Sequence, residues 1–235
     1  MKTKRVSLLF SAMLILATLI NPANATTDQT KMVLLNTING AISPKSVSAS
    51  NSGLVSAHNM MYRHSVTLYD AQTMELQATV SDSVRLSDFG YAKYSGNYKG
   101  APVEGAFSPD GKYLYFSNYA MYGKGFTKEG HDTCSPASGY DTSFLSRINL
   151  ENNKIDAVYP VGSVPKVVKV TPDNKYILVS NWCSYTVTII SVETQKTVKS
   201  IKIGRYPRGI SISSDSQDPN FADQGPNRIP RDRET

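Results

Sequence analysis

Two stretches of the chain decide its fold: residues 102–119 read PVEGAFSPDGKYLYFSNY and residues 165–182 read PKVVKVTPDNKYILVSNW. Aligned without a gap, they are identical at 7 of 18 positions, and their apolar positions coincide. The proline that opens each copy recurs through the chain, and the last two of these prolines are 42 residues apart: Pro44, Pro102, Pro165 and Pro207. Self-similarity at such a period indicates a repeat architecture.

Each repeat unit predicts four short strands, which we name a to d in chain order. In the unit that opens at Pro165, runs rich in Val, Ile, Tyr and Thr predict strands at 167–171, 176–181, 186–192 and 197–203. Turn tripeptides separate strands a and b, Pro-Asp-Gly at 109–111 and Pro-Asp-Asn at 172–174. Four strands at this period predict an all-β fold, a β-propeller of four-stranded blades. A β-sandwich also has short strands and turns, but it lacks the repeating Pro…Pro-Asp-Gly…Ser-Asn frame.

The repeat resembles the YVTN-type β-propeller repeats of exported prokaryotic proteins, over about residues 31–215. Two sets of residues carry the resemblance: Gly162, Pro165, Pro172-Asp173, Ser180-Asn181, Val187, Thr194 and Gly204 in one copy, and Pro102, Pro109-Asp110-Gly111 and Ser117-Asn118 in another. The resemblance implies a propeller fold. It leaves function open, because propellers include lactonase-like enzymes, haem d1 domains and DNA-binding proteins, and their site signatures are not found in this chain.

The N-terminus is typical of a secretory signal peptide spanning residues 1–25. A basic start (Lys2, Lys4, Arg5) precedes the apolar run 6–20, and Ala23-Asn24-Ala25 forms a small-residue cleavage site. The alternative, a membrane anchor, needs about 20 apolar residues, more than the 15 of this run. We therefore expect an exported protein, periplasmic or extracellular, with no remaining transmembrane anchor.

The composition limits the class of protein further. The 235 residues are 40% hydrophobic with two cysteines, which excludes a disordered chain or a disulfide-built scaffold. The formal charge is +6, and removal of residues 1–25 would leave 210 residues at +3. Such a mild excess gives no strong nucleic-acid signal.

Counted in blades, the propeller region 26–216 holds about three complete units and partial strands at its ends. Residues 31–38 precede the Pro44 unit and by register predict a d strand, and the Pro207 unit begins with a strand a near 208–213. The tail 217–235 has little apolar pattern, which predicts a disordered segment or an aberrant one, foreign to the repeat or frame-shifted. We expect an incomplete ring, either a truncated propeller or an arc that self-associates through its open sheet edges.

The up-and-down order of the strands in a blade predicts where the long loops lie. In an up-and-down blade the b–c and d–a connections share one end, and the insertions 81–100 (d–a) and 120–143 (b–c) both use them. We call this end the loop face. Long loops on a rigid scaffold often carry binding residues. The candidate binding residues there are Tyr91, Tyr94, Tyr98, Tyr119, Tyr122, Tyr140, Trp182, Arg205 and Tyr206, with lysines interleaved. The alternative is that these tyrosines fill gaps between blades.

Cys134 and Cys183 fall on the loop face of adjacent blades, which predicts a disulfide in an exported protein. A weaker hypothesis adds His64 and His131 to these cysteines as ligands of a soft metal such as copper or zinc. No short ligand spacing such as Cys-x-x-Cys supports it. His58, inside a predicted strand b, is expected to be a packed or edge residue.

No motif of catalysis or of cofactor attachment is found, so no catalytic residues and no cofactor are assigned. The aspartates Asp110 and Asp173 recur with the repeat, which identifies them as turn residues. The sequence therefore favours an exported binding module that recognises a protein, glycan or cell-envelope component through the loop face. The alternative is a lactonase-like or cofactor-bearing propeller enzyme whose active residues are largely missing from this chain.

Overall fold

The computed structural model describes residues 32–217 and 219–222, and the predicted signal peptide lies outside them. The chain divides into two units, residues 1–37 and 38–235. No helix within the described ranges is long and apolar enough to cross a membrane.

The described residues of the larger unit form fourteen strands and two short 3-10 helices, Leu86–Phe89 and Pro136–Ser138. The strands are β1 (Ser46–Ala49), β2 (Leu54–Asn59), β3 (Ser65–Asp70), β4 (Leu76–Ser81), β5 (Pro102–Phe107), β6 (Tyr113–Asn118), β7 (Phe144–Asn149), β8 (Lys154–Pro160), β9 (Pro165–Val170), β10 (Tyr176–Asn181), β11 (Thr186–Ser191), β12 (Thr197–Lys202), β13 (Gly209–Ile212) and β14 (Pro219–Ala222).

These strands form antiparallel sheets in simple chain order: β1–β4, β5–β8, β9–β12 and the pair β13–β14. The first three sheets are complete blades with the predicted order a, b, c, d. The all-β propeller of about three complete blades and partial strands is therefore confirmed. In the third blade, each observed strand lies within two residues of its predicted bounds.

The predicted d strand at 31–38 is wrong for the residues that the structure describes. Residues 32–38 form no strand, and the side chains of Met32 and Leu35 are 95% and 87% exposed. Lys31 lies outside the described residues. A strand needs a neighbouring strand for its backbone N–H and C=O groups. The described part of the last unit ends at strand b, so it contains no strand c to pair with a strand d.

The predicted disorder of the tail from residue 217 is wrong for Pro219–Ala222, which form β14. This strand pairs with β13 in a register that places Ser211 opposite Asn220, so the last unit contains strands a and b. The remainder of the predicted tail, 223–235, lies outside the described residues.

A repeated turn explains why the last unit continues into strand b. In the second, third and last units, the hydroxyl of the residue that follows strand a donates to an aspartate two positions on, in the pairs Ser108–Asp110 (2.5 Å), Thr171–Asp173 (2.6 Å) and Ser213–Asp215 (2.5 Å). The next residue has a positive φ in each turn: 71° at Gly111, 58° at Asn174 and 65° at Ser216. The stretch 213–216 thus forms the Pro-Asp-Gly turn without its proline or glycine.

A buried asparagine at the end of each complete strand b organises the loop face. The side-chain Nδ2 of Asn59, Asn118 and Asn181 donates to a hydroxyl on strand c, at 3.1, 3.1 and 2.9 Å. The Oδ1 atoms of Asn59 and Asn181 also accept from backbone N–H groups of the segment entering strand a, both at 3.0 Å. The Ser-Asn frame of the repeat therefore ties the b–c and d–a connections to one end of each blade.

Neighbouring blades pack through apolar faces and through hydrogen bonds between their innermost strands. Blades one and two share a core that includes Val66, Leu68, Leu114, Phe116 and Ile148, and blades two and three share one that includes Tyr115, Leu145, Val168, Ile177 and Ile190. The Ser46 and Ser48 hydroxyls donate to the Val103 and Gly105 carbonyls at 2.7 and 2.6 Å. Strands a of consecutive blades therefore lie side by side along the inner edge of the arc.

Candidate functional site

The two long insertions meet on the loop face, as the up-and-down order of the strands predicts. Tyr98 in the d–a insertion pairs with Val84, and the neighbouring Lys99 pairs with Tyr122 of the b–c insertion. The Tyr122 N–H donates to the Lys99 carbonyl at 2.8 Å. The two insertions therefore form one continuous layer above the second blade.

Three of the predicted binding tyrosines pack inside this layer. Tyr98 is 1% exposed, Tyr94 stacks on Phe126 with ring centroids 4.8 Å apart, and Tyr91 meets Phe144 edge-on at 5.0 Å. The Tyr98 hydroxyl donates to the Lys124 carbonyl at 3.0 Å. These rings pack the insertions against the blade. This packing agrees with the alternative that the tyrosines fill gaps.

A second aromatic group surrounds the disulfide, which joins Cys134 to Cys183 as the sequence predicts. Trp182, Tyr119, Tyr140 and Tyr206 pack in the same cluster. The indole Nε1 of Trp182 donates to the Asp132 carbonyl at 2.9 Å, so the b–c insertion is held to the third blade covalently and by hydrogen bonding. Arg205 is exposed, and its guanidinium lies 5.6 Å from the Tyr206 ring centroid.

The disulfide removes both cysteines from the predicted set of soft-metal ligands. Cys134 and Cys183 hold no thiol for a metal, and His64 and His131 line different cavities. Over residues 32–217 and 219–222, no three His, Cys, Asp or Glu side chains gather as a metal site. The four-residue set of His64, His131, Cys134 and Cys183 is therefore wrong as a metal centre. His58 lies in β2 and is fully buried, the packed position expected of it.

A cavity of about 390 Å³ opens between the first and third blades beside the b–c insertion. Its lining is polar and carries both charges: Lys45, Met60, Val103, Tyr119, Glu129, Gly130, His131, Asp132 and Lys166. We call it the lysine cavity.

Lys166 is the most enclosed charge of the lysine cavity, with a side chain only 6% exposed. Its Nζ lies 2.8 Å from Asp132 Oδ1 and 4.1 Å from the Trp182 ring centroid. The Tyr119 ring centroid is 5.7 Å away on a second side. The hydrogen bond from Lys166 lowers the pKa of the Asp132 carboxyl, because it stabilises the ionised form. Lys166 is thus held as a positioned cation between two aromatic rings.

The lysine cavity lies where the innermost strands begin. Lys45, Lys166 and Arg208 each follow the opening proline of a unit, and this repeat position places them at the starts of strands a. Burial raises the pKa of Glu104 on β5, while the charges of Arg208, Lys169, Lys166 and Lys45 act to lower it. Lys45 and Lys166 line the lysine cavity itself, and Arg208 holds the equivalent position in the next unit. The repeat alignment contains this signal, at the residue after the opening proline, but the aromatic residues of the loops do not point to it.

A second cavity, of about 420 Å³, shares Met60 and Glu129 with the first. We call it the histidine cavity, and it is lined by Met60, Met61, Tyr62, His64, Lys99, Tyr122 and Glu129. Tyr122, 36% exposed, donates its hydroxyl to Glu129 Oε1 at 2.7 Å. Its ring meets the His64 ring edge-on at 5.8 Å.

A buried carboxylate supports the imidazole of the histidine cavity. His64 Nδ1 lies 2.7 Å from the Gly100 carbonyl oxygen and 3.2 Å from Asp82 Oδ2. Burial raises the pKa of Asp82 to about 6, against the attraction of His64. The other carboxyl oxygen, Asp82 Oδ1, is buried without a hydrogen-bond partner. Of the predicted site residues, Tyr119 and Tyr122 therefore line the two cavities, the other aromatic residues pack in clusters, and Arg205 is exposed.

Comparison with known proteins bears on the fold. Neither a protein-family model nor a curated protein matches the chain. Among solved structures, the chain is similar to the Kuenenia stuttgartiensis hydrazine synthase, with a TM-score of 0.55 and 21% sequence identity. The similarity covers 80% of this chain and 44% of that one, so this chain matches less than half the length of the solved protein. At this identity the likeness shows a shared propeller-type arrangement of blades and nothing of function.

Proposed function

We propose that this chain is an exported binding module built from YVTN-type propeller repeats. Its ligand is an acidic group of a glycan, protein or other cell-envelope component, which it binds through the loop face. The observation that supports the proposal is the enclosed Lys166 ammonium in the lysine cavity, which Lys45 also lines.

Lys166 provides the strongest single contact for an anionic group. An ammonium has three N–H donors, and the structure gives Lys166 one acceptor, Asp132. Because its side chain is 6% exposed, its charge is screened less by water than that of a surface lysine. The remaining donors are available to a carboxylate or phosphate that enters the lysine cavity.

The neighbouring aromatic rings and acidic side chains narrow the class of partner. Tyr119 lines the lysine cavity and Trp182 stacks on its central cation, and aromatic faces beside cations are typical of sugar binding and of interaction hot spots. Glu129 and Asp132 line the same cavity, and their negative charges would repel the phosphate backbone of a nucleic acid. A single acidic group on a polar polymer fits this mixture better than a nucleic acid.

Trp182, the only tryptophan of the chain, provides the readout for a binding experiment, because its ring lies 4.1 Å from Lys166 Nζ. We would titrate the exported chain with polygalacturonate, an acidic glycan, and with dextran, a neutral one, while recording tryptophan fluorescence. We expect saturable binding of polygalacturonate alone. The variant Lys45→Gln, at a residue that lines the lysine cavity, should weaken it about tenfold, the equivalent of about 1.4 kcal/mol.

The matched control is Lys199→Gln, which removes one charge from the outermost strand β12 of the third blade. If both variants weakened binding equally, the effect would come from overall charge and the lysine cavity would not be the site. Equal binding of dextran would also contradict the proposal.

A further inference from the structure

The b–c turn of the first blade differs from those of the other two blades. It reads Met60-Met61-Tyr62-Arg63-His64, without the long insertion of the second blade or the disulfide of the third. Backbone hydrogen bonds from Met60 to His58 and from Arg63 to Met61 tighten it, and Tyr62 and His64 have φ values of 65° and 49°. This tight turn places both methionines and the histidine in the wall of one cavity.

The support behind His64 leaves one of its ring nitrogens available as a ligand. A carbonyl oxygen only accepts hydrogen bonds, so the 2.7 Å contact with Gly100 identifies Nδ1 as the protonated nitrogen. The lone pair of the neutral ring is then on Nε2, for which the structure shows no hydrogen bond. A histidine whose other nitrogen donates to a carbonyl or carboxylate is the usual arrangement of a metal ligand, and here Gly100 and Asp82 supply both acceptors.

The chemistry of the donors selects the ion. Met60 and Met61 offer thioether sulfurs, which are soft and uncharged, and His64 offers an imidazole nitrogen. Thioether ligands favour Cu(I) over zinc or hard cations. Lys99 and Glu129 line the cavity with opposite charges, so the selectivity comes from the thioether donors.

We propose that Met60, Met61 and His64 bind a soft monovalent metal ion, Cu(I), on the loop face. The site does not involve the cysteines, because both are bonded in the disulfide. The proposal also does not depend on ligand binding in the lysine cavity. Met61 is 47% exposed, so the ion would have direct access from solvent.

The test measures metal binding directly. We would titrate the disulfide-bonded chain with Ag(I), a redox-inert analogue of Cu(I), by calorimetry, and measure Cu(I) affinity by competition with a chromophoric chelator under anaerobic conditions. We expect one equivalent bound, with no comparable affinity for Zn(II). The variants Met60→Leu/Met61→Leu and His64→Asn should each lower the Cu(I) affinity at least tenfold. Asparagine is chosen because it tolerates the positive φ of His64.

The control is Met74→Leu, a methionine with a φ of 59° in the c–d turn at the other end of the same blade. It should leave the affinity unchanged, and circular dichroism should show all variants folded. Wild-type affinity in the folded His64→Asn variant or in the double methionine variant would overturn the assignment. Binding that is lost in His131→Gln but kept in His64→Asn would overturn it as well.

Discussion

The buried His58 makes the stability of this protein depend on pH in a way that the repeat itself can test. His58 occupies in strand b of the first blade the position that Ser117 and Ser180 hold in the next two blades. Its Nδ1 lies 3.0 Å from Ser46 Oγ, and its Nε2 is buried without a partner. It faces Gly105, where an added Cβ would lie only 2.3 Å from Nε2. Burial lowers the pKa of His58 from 6.5 to about 4.

The direction and size of the effect follow from that pKa. As pH falls below 6.5, the unfolded chain takes up a proton at His58 while the folded chain does not, so stability is lost between pH 6.5 and about 4. At pH 5 the loss is about 2 kcal/mol, and below pH 4 it approaches about 3.4 kcal/mol. Asp82 acts in the opposite direction: its raised pKa of about 6 means that its contribution is lost as pH rises from 3.8 through 6.

The variant His58→Ser isolates the histidine, because it places in the first blade the residue used by the other two and leaves Asp82 unchanged. We would measure the free energy of unfolding in urea for both proteins at pH 7.5 and pH 5.0. The variant should be the less stable protein at pH 7.5, where the smaller side chain leaves a void. Its deficit should shrink by about 2 kcal/mol at pH 5.0, because the variant has no histidine to protonate there. A deficit that is the same at both pH values would refute the reasoning.

Three further stability predictions follow from the packing, and each is checked by urea unfolding at pH 7.5. Cys134→Ser/Cys183→Ser should lose about 4 kcal/mol, because the bond closes a loop of 49 residues in the unfolded chain; a loss below about 1 kcal/mol would contradict this. Asp156→Ala should cost about 2 kcal/mol, since it removes both acceptors, at 2.7 and 3.1 Å, from the buried Arg147 guanidinium; an unchanged midpoint would show that solvent replaces the pair. Gly100→Ala should also destabilise the chain by about 2 kcal/mol, because the new Cβ would lie 2.0 Å from the buried amide oxygen of the asparagine that ends β6; wild-type stability would show that this side chain can move aside.

The repeat pattern alone predicts the four-stranded blade. The spacing of prolines, the Pro-Asp-Gly turns and the Ser-Asn frame act within one unit, through contacts a few residues apart. They therefore predicted strands a to d, the face that the long loops share and the cysteine pair. Local periodicity failed at the ends: residues 32–38 have the apolar pattern of a strand without a described partner, and Pro219–Ala222 form a strand without that pattern.

Which side chains of the loop face are buried and which line a cavity follows from tertiary packing. Whether a tyrosine there is a packing ring or a cavity wall depends on the neighbouring insertion, as the contrast between buried Tyr98 and exposed Tyr122 shows. The meeting of Lys45 and Lys166 in one cavity depends on the packing of separate blades, because these residues belong to the first and third units. The support of His64 by Asp82 and Gly100 likewise joins a b–c turn to a d–a connection. These contacts join segments far apart in the chain, so side-chain packing and not the local repeat pattern sets the distances.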